Sequence, residues 1–215
     1  MNFSDAFSWV NISFLLEGLW VTLKVTGITI LLSLLLGTLL GVIRYLKLPF
    51  VAKGVGLVVD TIRNLPLLLI IFFTYFALPQ IGLRLNIFWA AVAAMTIFES
   101  CMISEIIRGG MNAVPKGQME AGLSTGFTRG QVIFLIILPQ AIRSMLPSIV
   151  SQLIALIKDT SLATVISLPE LTHNARIIYG QETSYVIPIF VAMTFLYWIT
   201  CFLLSRLAKR LKFAG

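Results

Sequence analysis

Five apolar runs dominate this chain, at about 18–42, 55–78, 87–107, 131–157 and 186–204. Each is close to the ~20 residues that a helix needs to cross the hydrocarbon core of a bilayer. A segment in lipid must satisfy its own backbone hydrogen bonds, so such runs fold as helices. Over the whole chain, 58% of the 215 residues are hydrophobic and 12% are charged, with a mean hydropathy of +0.96. Soluble domains carry about a quarter charged residues, so lipid is the solvent for most of this one. The pattern predicts an all-α polytopic membrane protein with about five transmembrane helices, in a single domain covering 1–215.

The basic residues set a topology. Arg44, Lys47, Lys53, Arg108, Lys116, Arg129, Arg206, Lys209, Arg210 and Lys212 are ten of the sixteen Lys and Arg residues. They fall in the 44–53 and 108–130 loops and the C-terminal tail. The opposite side holds Arg84, Lys158 and Arg176, while Lys24, Arg63 and Arg143 fall in the spans. Cytoplasmic loops carry the excess of Lys and Arg, which predicts a cytoplasmic C-terminus and, with five crossings, an N-terminus outside. The net charge of +7 belongs to this bias and to anionic head groups, not to nucleic acid. Residues 1–9 place no basic residue ahead of the apolar run, so they do not read as a cleaved signal peptide.

Several residues interrupt the spans. Pro66 predicts a kink in the second. Pro139, Arg143 and Pro147 make the fourth irregular, which suits a face toward protein or a cavity. Gly37 and Gly41 are a small-x3-small pair that allows close helix approach, read here as packing within the chain. Cys101 and Cys201 lie in apolar runs, where cysteine acts as a small hydrophobe. They form neither a metal cluster nor a disulfide framework. The lone His173 reads as a loop residue in a solvated or hydrogen-bonded setting, not a catalytic one. The four tryptophans suit interfacial or packing places.

The one polar stretch between long apolar runs is Gly117-Gln118-Met119-Glu120-Ala121-Gly122-Leu123-Ser124-Thr125-Gly126. Pro115 suits a helix start and Gly126 a left-handed stop. A helix over 118–125 would be too short to stand alone in water. Met119 and Leu123 give it a small apolar face, with Glu120 offering charge beside it. Such a helix reads either as a docking handle for a soluble partner or as an ordinary surface helix.

Ionisable residues at membrane depth need a reason. Glu105 and Arg108, at i and i+3, predict an ion pair. Glu99 has Met95, Thr96, Met102 and Ile103 at helical spacing, so its partner must come from another helix, from water or from a substrate. Arg63 and Arg143 are the candidate protein partners. Lys158 and Asp159 end the fourth span, ahead of Thr160 and Ser161. They read either as an interfacial lysine with a capping acid or, with Glu99 and Ser100, as the border of a substrate path. In that second reading the acids would meet an ammonium group. Two rival functions remain on physical grounds: an ion-driven transporter or channel, and an intramembrane enzyme, for which no nucleophile–base pair is visible.

Six segments in order carry a resemblance. They are Arg63-Asn64-Leu65-Pro66-Leu67-Leu68, Ser104-Glu105-Ile106-Ile107-Arg108-Gly109-Gly110, Lys116 to Gly122, Leu138-Pro139-Gln140-Ala141, Lys158-Asp159-Thr160-Ser161-Leu162 and Pro169-Glu170-Leu171-Thr172. Together they resemble the polar-amino-acid branch of the permease subunits of ATP-binding-cassette (ABC) importers. The resemblance implies the type I importer permease architecture and a bacterial cell-membrane location. It makes 108–130 a cytoplasmic coupling loop in which Gly117, Gln118, Glu120, Ala121, Gly122 and Gly126 meet an ATPase dimer. It also implies a second permease subunit, identical or homologous, and an external or periplasmic solute-binding protein. The chain has no G-x4-G-K-[ST] phosphate loop, so ATP and Mg would belong to the partner and no cofactor to this chain. One departure stands out: the family's E-A-A is Glu120-Ala121-Gly122 here. Glycine in a helix costs about 1 kcal/mol against alanine, which predicts a looser helix.

Overall fold

Proline and glycine, not charge, decide where the helices of this protein begin, widen and stop. The computed structural model describes residues 3–47 and 49–213, with side chains described through Leu207; Lys209, Arg210 and Lys212 of the basic tail have their side chains outside that range. The helices are α1 (Phe3–Ala6), α2 (Trp9–Leu46), α3 (Val51–Arg63), α4 (Leu67–Phe72), α5 (Ile87–Ala113), α6 (Lys116–Ser124), α7 (Arg129–Val132), α8 (Leu138–Asp159), α9 (Leu171–Gln181) and α10 (Val186–Phe213). No strand forms among the described residues. Among the described residues, four stretches are long and apolar enough to cross a membrane: Trp9–Leu46, Ile87–Ala113, Arg129–Ile166 and Thr183–Leu207. The fifth expected span is not one kinked helix. It is the pair Val51–Arg63 and Leu67–Ile81, because Pro66 sits extended at φ −60° and ψ 130° and starts α4 instead of bending a continuous helix.

Two further prolines act differently. Residues Phe73–Ala77 and Ile133–Ile137 are π-helical turns, each two residues before a proline, Pro79 or Pro139. A proline ring clashes with the carbonyl four residues back and donates no bond. The wider turn relieves this: Leu78 N–H reaches Phe73 C=O and Leu138 N–H reaches Ile133 C=O. Past Pro139 the chain continues as α8, whereas past Pro79 it closes in a 3-10 turn, Leu78–Ile81, that stops at Gly82.

The chain divides into two compact units. One comprises residues 1–31, 66–96 and 153–215. In it α9 packs on α2 and α10 through Leu15, Leu171, Ala175, Ile178 and Ile189. Gly18 permits the approach, since a Cβ there would lie 2.9 Å from the Glu170 carbonyl oxygen. The other unit comprises residues 32–65 and 97–152. Here Gly37 lies against Ile103 and the Ser100 carbonyl, and Gly41 against Ile107 and the Ser104 carbonyl. The small-x3-small pair thus packs α2 on α5 within the chain, as expected. All four tryptophans are exposed on this chain; Trp89 packs against the Phe88 ring and Trp198 against Phe195 and Phe202, and Lys24 Nζ lies 5.2 Å from the Trp20 ring. Both cysteines are free; Cys101 is buried and Cys201 half-buried.

A side chain on either glycine would meet backbone, which cannot rotate away. Gly37→Val and Gly41→Val are each expected to lower stability by about 1–3 kcal/mol through overpacking. Gly27→Ala, with nothing within 4 Å of the added carbon, serves as the control. Thermal unfolding of the purified chain in detergent measures this, and a Gly41→Val melt equal to that of the native chain would refute the packing role.

Candidate functional site

The polar loop forms a helix, and its ends are built by the residues that predicted them. Pro115 is the N-cap of α6, which starts two residues earlier than expected and runs over Lys116–Ser124. Gly126 takes φ +88°. Its N–H bonds the Leu123 carbonyl at 3.1 Å, and Phe127 N–H bonds the Gly122 carbonyl at 3.3 Å. That pairing is the Schellman stop. Thr128 and Gln131 then form a capping box for α7, a T-x-x-Q signal that the sequence carried.

The packing face differs from the expected one. Leu123 is exposed, Met119 half-buried and Gly122 buried. A Cβ on Gly122 would lie 2.7 Å from Val132 Cγ2 and 3.2 Å from Ile136 Cδ1. Gly122 is therefore the point at which α6 lies on the following helical segment, not merely a loosened turn. Gly117, Gln118, Glu120, Ala121 and Gly126 are exposed. Gln118 is braced by Gln140, whose Nε2 donates to its Oε1 at 3.4 Å.

In the same unit, Glu105 meets Arg108 as the spacing predicted. Arg108 Nε donates to Glu105 Oε2 at 3.1 Å and its Nη2 to Oε1, a forked pair. Sequence spacing did not reveal the rest of the cluster. Arg44 donates to Glu105 at 2.9 Å and to Asp60 at 3.0 Å. Arg63 stands 3.5 Å from Glu105 and 3.9 Å from Asp60. Three guanidinium groups thus share two carboxylates, which ties the C-terminal parts of α2 and α3 to α5.

Glu99 is fully buried, and its Oε2 accepts from Gln152 Nε2 of α8 at 3.2 Å. One partner thus comes from another helix, as expected, and is the amide of Gln152; Arg63 pairs with Asp60 and Glu105, and Arg143 is exposed. Ser100 is buried, with its carbonyl against Gly37. Lys158, Asp159, Thr160 and Ser161 belong to the other unit. Lys158 is exposed, Asp159 and Ser161 half-buried, and Thr160 is buried with its hydroxyl on the Ile157 carbonyl at 2.6 Å. Asp159 makes no side-chain cap to the 3-10 turn that follows, so the capping role for it does not hold.

Two features escaped sequence reasoning. On α8, Gln140, Arg143, Ser144, Ser148 and Ser151 are all exposed and recur at helical spacing on one face. This polar stripe lies in a span-length helix, and only its period could have announced it. The second is Glu170, fully buried. Its carboxylate accepts from the Thr172 and His173 backbone N–H groups at 2.8 and 2.7 Å and from the Tyr197 hydroxyl at 3.0 Å. Burial pushes its carboxyl above the ordinary carboxylate range, opposed by those N–H donors. His173 lies in α9, not a loop, and burial followed by nearby Arg176 lowers its affinity for a proton.

Comparison with known proteins places this geometry. The family model described as the binding-protein-dependent transport system inner membrane component matches residues 10–213. The probable glutamine ABC transporter permease protein GlnP of Bacillus subtilis is 52% identical over 99% of this chain and 98% of its own length. The arginine transport system permease protein ArtQ of the same organism is 33% identical over 97% and 95%. A solved amino acid ABC transporter, crystallised with histidines, superposes with a TM-score of 0.86 at 28% identity, covering 95% of each chain. A solved MetNI methionine ABC transporter shares the fold, with a TM-score of 0.78 at 20% identity over 95% and 99%. These matches decide against the ion-driven transporter and the intramembrane enzyme.

Glu105 answers three cations and is one-quarter exposed, whereas Asp60 is more than half exposed. Glu105→Gln is expected to destabilise the chain by about 2 kcal/mol, because it leaves charged donors facing a neutral amide. Asp60→Asn is expected to cost under about 1 kcal/mol, as exposed pairs do. Unfolding in detergent compares them, and equal losses would refute the ranking.

Proposed function

We propose a division of labour that starts from a fact: this chain belongs to the binding-protein-dependent transport system inner membrane components. It is the permease component of an amino-acid ABC importer. The coupling role falls to α6. In this reading Gly117, Gln118, Glu120, Ala121, Gly122 and Gly126 form the element that a cytoplasmic ATPase dimer grips, and ATP with Mg acts in that partner. The carrying observation is a nine-residue helix with an exposed acidic and glycine-bearing face, anchored at one buried point, Gly122. A helix of that length needs a second surface to be rigid.

The remaining assignments follow from the same premise. The single permease domain 1–215 lies in the bacterial cell membrane, with the N-terminus outside and the 108–130 loop and the C-terminus in the cytoplasm, as the basic-residue bias supports. A second permease subunit, identical or homologous, completes the pathway, and an external solute-binding protein delivers the amino acid. Polar residues in a span avoid lipid, so the α8 stripe faces that pathway or the second subunit. Glu99, Ser100, Lys158, Asp159, Thr160 and Ser161 border the substrate's route, with Glu99 and Asp159 suited to an ammonium group and Lys158 to a carboxylate. Glutamine is the amino acid to test first, because the 52% identical relative bears its name.

Two measurements test the reading. Glu120→Lys reverses the charge offered to the ATPase, and Gly126→Val forces a β-branched residue into the left-handed region. In reconstituted vesicles both are expected to leave the complex assembled but to cut amino-acid uptake per ATP hydrolysed by tenfold or more, on the order of 1.4 kcal/mol of lost coupling. Normal uptake in either variant would sink the coupling role. Glu99→Gln and Asp159→Asn keep shape and remove charge. Assembled complexes with a raised transport KM or altered amino-acid preference are expected. Loss of the complex with unchanged preference in the remainder would make both acids structural.

A further inference from the structure

We propose that this chain carries a binding site for an anionic phospholipid on the unit formed by residues 32–65 and 97–152, with an acyl chain in an apolar groove and the phosphate at a cationic rim. The groove has a volume of about 430 Å³, and α2, α3 and α5 line it with Leu36, Leu40, Val55, Val58, Ile62 and Ile97 among others. That volume lies in the range of ligand-sized pockets. Its walls are almost wholly apolar, which suits hydrocarbon and offers no hydrogen bond to a polar solute.

On all three helices, charged residues lie next to lining residues along the chain or one turn from them. Arg44 lies one turn beyond Leu40 on α2, and Glu105 one turn beyond Cys101, a lining residue of α5. On α3, Asp60 follows Val59 and Arg63 follows Ile62. Arg44, Arg63 and Arg108 against Asp60 and Glu105 leave one positive charge (three minus two). Exposed Lys53 precedes the lining Gly54 and adds another. Arg63 Nε is buried without a hydrogen-bond partner.

An apolar slot with surplus positive charge at its edge matches an amphiphile with an anionic head. Helix α3 adds weight to a membrane-interface position. Its 13 residues span only about 20 Å at 1.5 Å per residue, short of the ~30 Å hydrocarbon core. In the orientation proposed above, the rim lies at the cytoplasmic leaflet, where anionic lipids attract basic clusters. The lipid would thereby hold α3 against α2 and α5, filling a seam that protein atoms leave open.

The test uses the full chain, reconstituted in vesicles of phosphatidylglycerol and phosphatidylcholine in equal amounts, extracted in mild detergent and weighed intact by native mass spectrometry. The native chain is expected to retain phosphatidylglycerol over phosphatidylcholine by at least roughly fivefold. Lys53→Gln is expected to lower that preference by roughly fivefold, the effect of one basic residue at a lipid surface. Val58→Trp, at an exposed lining position, is expected to abolish retention by filling the slot. Equal retention of the two lipids by the native chain would overturn the proposal. So would undiminished retention in Val58→Trp, which would place the lipid elsewhere, or Val58→Cys disulfides between copies in native membranes, which would make the groove a subunit seam. Neither transport nor ATPase activity enters the readout, so failure of the importer reading leaves this one separately decidable.

Discussion

Every part of this protein depends on one constraint: backbone polar groups within lipid must be satisfied by the chain itself. The four long helical stretches meet it by regular bonding. The informative places are the prolines, which withdraw a donor. At Pro79 and Pro139 the chain inserts a π turn upstream and keeps its bonds. At Pro66 it stops one helix and starts another. Threonine and serine hydroxyls bond backbone carbonyls nearby, Thr74 to Ile70, Ser151 to Pro147 and Thr160 to Ile157. These bonds satisfy the polar side chains locally, without a partner segment, and let Thr and Ser sit in otherwise apolar helices.

The same scarcity of water governs the acids, and the chain handles three of them in three ways. Glu105 is answered by arginines, whose planar forks match a carboxylate. Glu99 accepts from a glutamine amide on another helix. Glu170 meets the first backbone N–H groups of α9, where the helix dipole favours a negative group. Full pairing at Glu105 gives a rigid joint.

Local signals were legible in the sequence, and distant ones were not. The apolar runs announced the helices, Pro115 and Gly126 the ends of α6, the Glu105–Arg108 spacing an ion pair, and Gly37 with Gly41 a close helix contact. Each depends on residues within about one turn of one another. Arg44 and Asp60 joined Glu105 only because three helices converge, and no spacing along the chain encodes that. Pro66 was legible as an interruption but not as a helix start, because a kink and a break differ only in the path taken afterwards. Leu123 misled because helical periodicity identifies an apolar face without saying whether anything covers it.

At Gly122 a cost in helix propensity meets a gain in packing. At this position the family pattern has alanine, and on propensity alone the exchange weakens a short helix. The structure supplies the compensation, because the missing methyl is the space that Val132 and Ile136 occupy. The Val132 and Ile136 side chains bear directly on the α6 backbone at Gly122, a close-packed contact that transmits displacement. Under the proposed coupling role, a displacement imposed on the exposed face around Glu120 would pass directly to the segment that becomes α8, along which the polar stripe and Gln152 lie. The local weakness in propensity and the tightness in packing then serve one end: the helix needs its partner to be stable, and it transmits what the partner does.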